Sequence, residues 1–130
     1  DSTYNLYEKL KINNFSILTG SETKLLKGLE LGCNGIISAV CNVTAPMARK
    51  VYDDFINKKL QTVNEKLCAI RKAFDDTGNL ISALHSFMAI RDEKYRRLIP
   101  PLTLLSKDKQ KELLNKLKEL DFIPTKNIAA

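Results

Sequence analysis

The stretch FSILTGSETKLLKGLELGCNGIISA, Phe15 to Ala39, decides how the chain is read. It opens on a short apolar run from Phe15 to Leu18 and turns on Gly20. It then passes through Leu25, Leu26 and Leu29 at helical spacing and re-enters an apolar run at Gly35. Apolar residues three and four apart share one helix face, whereas a short apolar run bounded by turn residues reads as a strand. Gly32-Cys33-Asn34-Gly35 stands where a helix over Lys24 to Leu31 must stop, because glycine tolerates the positive φ that closes a helix. The spacing therefore predicts a strand, a crossover helix of about ten residues and a second strand over Gly35 to Ser38, a parallel βαβ unit. Both strands end in small polar residues, Thr19-Gly20-Ser21 and Ser38-Ala39, which is how a site built at strand ends is composed.

To the N-terminal side, Leu6 and Leu10 place a helix over Thr3 to Lys11. Beyond Ser38 the pattern is helical. Thr44 reads as an N-cap, with Pro46 in an early turn where its missing N–H costs nothing, and Met47, Val51 and Phe55 on one apolar face. Leu60, Val63, Leu67, Ile70 and Phe74 form the seam of a second helix that Asp75-Asp76-Thr77-Gly78 ends. A third helix is expected over Asn79 to Ile90. Ile99-Pro100-Pro101-Leu102 cannot continue it, and Ser106 caps a last helix with Leu113, Leu114, Leu117 and Leu120 inward.

The chain has 130 residues, 44% of them hydrophobic, which suits one packed domain and excludes a disordered chain. No apolar stretch is long enough to span a membrane, and Asp1 is not followed by a basic and then apolar leader, so a soluble, cytoplasmic segment is expected. The cysteines, Cys33, Cys41 and Cys68, are odd in number without CxxC spacing, and His85 is the sole histidine. Neither a disulfide framework nor a zinc site is indicated, and the thiols read as packing residues. A net charge of +6 raises the question of nucleic acid. Lys107, Lys109, Lys111, Lys116 and Lys118 alternate with Asp108, Glu112 and Glu119, as on a solvated helix face. Asp92 and Glu93 interrupt the group Arg91, Lys94, Arg96 and Arg97, and Tyr95 is its only aromatic, so nucleic-acid binding is not expected.

Two parallel strands cannot close a sheet, so the alternation looks cut from a longer βα series. SILTGSETKLLKGLELGCNGIISAVCNV, Ser16 to Val43, resembles the seventh and eighth strands of the class I pyruvate aldolases, which include dihydrodipicolinate synthase, N-acetylneuraminate lyase and 2-keto-3-deoxygluconate aldolase. The shared pattern is a strand ending in Ser/Thr-Gly, about ten helical residues, Gly-x-x-Gly, then Ile-Ser with Asn four residues later. DSTYNL, Asp1 to Leu6, resembles the segment just after the sixth strand and its Schiff-base lysine, and IPPLTLLSKDKQKELLNKLKEL, Ile99 to Leu120, resembles the approach to the final helix. The resemblance implies an α/β fold: the C-terminal portion of a (β/α)8 TIM barrel over residues 1–57, followed by a three-helix extension over residues 58–130.

The same resemblance implies chemistry in which a lysine amine forms an imine with a 2-oxo acid, without metal or organic cofactor. That lysine would stand one position before Asp1 and the family's proton-shuttling tyrosine earlier still, so no catalytic residue is assigned here. Substrate-binding roles are implied for five residues. Gly20 would let backbone approach the ligand, Ile37 would offer its main-chain carbonyl beside the pyruvate part, and Ala39 would line the variable part of the pocket. Ser82 would reach that part from the helical extension. Glu22 aligns with an acid that accepts hydrogen bonds from substrate hydroxyls in sugar-acid aldolases; taken alone, it also reads as a first-turn glutamate favoured by the helix dipole. His85 reads as a packing or surface residue.

DDTGNLISALHSF, Asp75 to Phe87, has no proline and looks more like the Gly-x-Leu-x-Ser pattern of 2-keto-3-deoxygluconate aldolases than the Asn-Pro motif of dihydrodipicolinate synthases. The first expectation is cleavage of a 2-keto-3-deoxy sugar acid to pyruvate and an aldehyde such as glyceraldehyde, by a homotetramer. Dihydrodipicolinate synthase comes second. A basic, non-catalytic helical interaction module is the reading from another class, and it requires the strand-like runs to be buried helix edges.

Overall fold

In the computed structural model, which describes Asn5 and residues 15–123, the Phe15 to Ala39 stretch forms the expected βαβ unit. Strand β1, Leu18–Thr19, pairs in parallel with β2, Gly35–Ile36, with Leu18 opposite Gly35 and Thr19 opposite Ile36. Both are shorter than the runs from Phe15 to Leu18 and from Gly35 to Ser38 predict. Single hydrogen bonds extend the pairing at each end: Asn34 N–H donates to Ile17 O at 2.7 Å and Ile37 N–H to Thr19 O at 2.9 Å. Asn34 also takes the Ile17 N–H on its side-chain oxygen at 2.9 Å, which fixes the register from the turn. Because the strand-like runs pair as strands, the premise of the helical-module reading fails. The helix expected over Thr3 to Lys11 lies, apart from Asn5, outside the described residues.

The crossover is a single 3-10 turn, Glu22–Lys24, running into α1, Leu25–Glu30. Leu25 and Leu29 are buried and Gly32 ends the helix at φ 93°. Gly28 faces the strand pair so closely that a Cβ there would overlap Thr19 Cγ2. The absence of a side chain thus sets how near α1 lies to β1.

Helix α2, Cys41–Ile56, starts three residues before the expected cap. Its first turn is closed by Cys41 and Asn42 N–H donating to Ser38 and Ala39 carbonyls, both at 3.2 Å. Thr44 is therefore inside the helix and fully buried, and its hydroxyl donates back to Val40 O at 3.0 Å. Pro46 likewise sits in the helix interior rather than its opening turn. It is tolerated on the exposed face, where the carbonyl it leaves without a helical donor, that of Asn42, belongs to an exposed residue. Ala48 and Val51 of α2 close over Leu25, Leu29 and Leu67, with Met47 and Phe55 packed at the edge. Each fully buried leucine of this kind contributes about 1.5–3 kcal/mol.

Helix α3, Asn64–Asp75, begins after Leu60, which was expected in its seam but is 84% exposed and lies outside the helix. The Leu67, Ile70 and Phe74 stripe is fully buried as its spacing requires. The chain divides into two compact units, residues 1–68 and 69–130, with the boundary inside α3. In the second unit Gly78 at φ 84° ends α3, and Asn79 caps α4, Leu80–Met88, by accepting Ser82 N–H at 3.0 Å. A 3-10 turn, Glu93–Arg96, comes next. Ser106 caps α5, Lys107–Glu119, as the sequence indicates, with Leu113 and Leu117 buried and Leu114 and Leu120 half-buried. Phe87 joins these helices: Phe74 meets it edge-on at 5.6 Å and Phe122 stacks on it at 5.7 Å. Among the described residues no helix is long and apolar enough to cross a membrane.

The closeness at Gly28 is testable against ordinary helix propensity, which favours alanine over glycine by about 1 kcal/mol. Gly28→Ala is expected to destabilise by about 1–3 kcal/mol through overpacking, and Thr19→Ala in the same chain to restore most of the loss. Chemical denaturation of the two variants checks it; a stabilised single variant contradicts the packing.

Candidate functional site

The C-terminal ends of β1 and β2 lie side by side, and each leads within two to four residues into a helical element. Sequence distances of 16 and 19 residues are thereby closed onto one glutamate. Glu22 opens the 3-10 turn after Thr19-Gly20-Ser21, and its side chain is fully buried. Ser38, two residues beyond β2, donates its hydroxyl to Oε2 at 2.8 Å. Cys41, the first residue of α2, donates its thiol to Oε1 at 3.4 Å. Each carboxylate oxygen thus has a donor, as a charge removed from water requires.

The main chain around this carboxylate is held as well. Cys68 on α3 directs its thiol to the Glu22 carbonyl at 3.8 Å and to Asn64 Oδ1 at 4.0 Å. Burial, and secondarily the charge of Glu22, push the Cys68 thiol above its ordinary value, so it is kept as a neutral donor. Thr19, buried beneath the turn, donates its hydroxyl to Gly35 O at 3.3 Å and ties the two strand ends together.

Of the five residues expected to bind substrate, four occupy these strand ends. Gly20 is exposed, and a Cβ there would meet nothing within 4 Å, so no packing among the described residues demands a glycine. Ile37 is 71% exposed while its N–H is fixed to Thr19 O. Ala39 is half-buried, and its carbonyl accepts both the N–H and the side-chain amide of Asn42, the latter at 2.9 Å. Glu22 lies beneath them with Ser38 and Cys41. Ser82 belongs to the second unit, in the first turn of α4, and is buried.

Sequence reasoning missed Cys41 and Cys68, which read as packing thiols, and noted Ser38 only as a strand terminus. The available signal was position: Ser38 ends the second strand expected from sequence and Cys41 comes three residues later, so both belong to the end where Glu22 also falls. His85, in the second unit, bonds through Nδ1 to the Tyr95 carbonyl at 2.8 Å. A carbonyl only accepts, so Nδ1 carries the proton, and the ring's role here is to hold the Glu93–Arg96 turn. In the same unit a small cleft of about 40 Å³ is lined by Asp76, Thr77, Lys109 and Lys116, among others. Lys72 and Lys116 both pair with Asp76, holding its carboxyl below the usual range. Among the described residues no group of three or more His, Cys, Asp or Glu is arranged to hold a metal ion.

The raised Cys68 thiol has a consequence for pH. A thiol whose folded pKa lies above its unfolded value stabilises the fold below the unfolded value, and that contribution is lost as pH rises through the folded one. Stability is therefore expected to fall in the alkaline range, and to fall less in Cys68→Ala. Alkylation of Cys68 by iodoacetamide should inflect at higher pH than that of an unstructured cysteine peptide. Equal profiles would contradict the assignment.

The model of the Dihydrodipicolinate synthetase family matches residues 2–120. No curated protein matches the chain. The matched segment includes both strands, the Glu22 turn, Ser38 and all helices α1 to α5. With nearly the whole length covered, the chain belongs to the dihydrodipicolinate synthetase family, within the superfamily of class I pyruvate-dependent aldolases and synthases.

Proposed function

We propose that the chain supplies the closing part of a Schiff-base aldolase, and that its substrate is a 2-keto-3-deoxy sugar acid such as 2-keto-3-deoxygluconate. The observation that carries the class is the family match over residues 2–120. The exposed strand ends agree with it, because barrel enzymes of this kind assemble their sites at the C-terminal ends of the strands. The pairing supports a barrel in turn. Parallel strands are normally covered on both faces, yet Leu18 of β1 and Ile37, just beyond β2, are exposed. In this reading residues 1–57 are the last two βα units and residues 58–130 the helical extension.

In the reaction the lysine amine, placed by resemblance immediately before Asp1, adds to the ketone and loses water to form the imine. The C3–C4 bond then breaks, its electron pair passes into the imine as an enamine, and the C4 hydroxyl loses its proton to leave an aldehyde. Protonation at C3 and hydrolysis release pyruvate and the free amine. The residues of this chain form the wall of that pocket: Gly20 leaves room for the ligand, the Ile37 carbonyl lies beside the pyruvyl part, and Ala39 flanks the remainder. The resemblance adds Ser82 from the extension, and Glu22 underlies the wall. The Asn79-Leu80-Ile81-Ser82 opening of α4, without proline, favours the sugar acid over the aspartate semialdehyde of the synthases. The cytoplasm and a homotetramer are the setting proposed with it.

Borohydride reduction of the full-length protein in the presence of pyruvate tests the class. The expected product is one reduced pyruvyl adduct per chain, on the lysine preceding Asp1, together with release of pyruvate from 2-keto-3-deoxygluconate. No adduct would overturn the aldolase reading. An adduct with turnover only of pyruvate and aspartate semialdehyde would replace the sugar acid by the synthase substrate.

A further inference from the structure

We propose that Glu22 is a positioning residue, acting through Ser38 and Cys41 to fix the backbone of Ile37 to Ala39 rather than by meeting substrate itself. The inference deepens the aldolase reading and rests on it for the identity of the ligand. Its first support is access. The Glu22 side chain is fully buried, so water does not reach it, and a substrate hydroxyl is no smaller than water. Its second is the use made of both carboxylate oxygens, one by the Ser38 hydroxyl at 2.8 Å and the other by the Cys41 thiol at 3.4 Å.

The geometry then pins a short segment at three points. Ile37 N–H is held by Thr19 O at 2.9 Å, and the Ser38 and Cys41 side chains are held by one carboxylate. Ser38 and Cys41 are further joined by the Cys41 N–H to Ser38 O bond at 3.2 Å, so they move as one turn. The Glu22 end is anchored by Cys68 at its carbonyl. The peptide units between Ile37 and Ala39, which carry the proposed ligand contacts, have few ways to move while the carboxylate keeps both donors. Bonds to a charged acceptor inside a protein are the stronger kind, which suits them to this task. Cys41 is the distinctive member: alanine there would leave Oε1 without this donor, whereas serine would keep one.

The test uses the full-length protein with Cys41→Ala, Cys41→Ser, Ser38→Ala and Glu22→Gln. Two quantities are read: amide hydrogen exchange over residues 36–42, and borohydride trapping as a function of pyruvate concentration. Cys41→Ala and Ser38→Ala are expected to exchange about tenfold faster in that segment, with little change in α4 and α5. They should need about five- to tenfold more pyruvate for half-maximal trapping, with the maximal trapping rate nearly unchanged, as for lost binding alone. Cys41→Ser should restore both towards wild type. Unchanged exchange over residues 36–42, or faster exchange with an unchanged pyruvate requirement, overturns the proposal. If wild-type protein traps no pyruvate, the aldolase reading falls separately, and exchange in Cys41→Ala against Cys41→Ser still decides whether the carboxylate holds the turn. Should Glu22→Gln fail to fold, the two milder variants decide the outcome without it.

Discussion

A carboxylate sealed from water must find donors, and in this chain that requirement organises the strand ends. Leaving such a charge without partners costs several kcal/mol, a large share of the total stability of about 5–15 kcal/mol that a domain has. In the observed register β2 lies beside β1, and Ser38 and the first residue of α2 arrive at the two oxygens of Glu22. A slip of one residue would turn Ser38 to the other face and replace it by a hydrophobe. The apolar packing and the polar contact therefore select the same register, which is the agreement between levels that makes a fold specific.

Gly28 serves the same end from the other side. By letting α1 approach Thr19, it brings the 3-10 turn that carries Glu22 down onto the strand pair. Thr19 in turn commits its hydroxyl to Gly35 and its carbonyl to Ile37, so the two strand ends are joined at two points. Left at the surface of these strand ends are Gly20, the half-buried Ala39 and, between them in sequence, the exposed Ile37.

Much of this was legible from local pattern. Leu25, Leu26 and Leu29 with Gly32 marked the crossover helix and its end, and Ser106 marked the cap of α5, because caps and periodicity are written within one or two turns. The start of α2 was not legible. Cys41-Asn42-Val43 carries no capping side chain ahead of it, and the first turn is closed by carbonyls of Ser38 and Ala39 whose placement depends on β2. Thr44 consequently read as a cap although it bonds backward inside the helix. Leu60 matched the α3 seam in spacing and yet lies outside the helix, since periodicity does not say where a helix begins. The role of Cys41 was beyond any local reading, because its partner is 19 residues away and only the topology brings them together.

The order of the strand ends depends on the Glu22 contact being energetically real, and a double-mutant cycle on unfolding tests that directly. Glu22→Gln, Ser38→Ala and the double variant of the full-length protein are compared by chemical denaturation. A bond between a hydroxyl and a buried carboxylate predicts a coupling of about 1.5–3 kcal/mol, with the double variant less destabilised than the sum of the singles. Additive losses would mean that Ser38 and Glu22 stabilise the chain independently, and the carboxylate would lose its place as the element on which the strand ends depend.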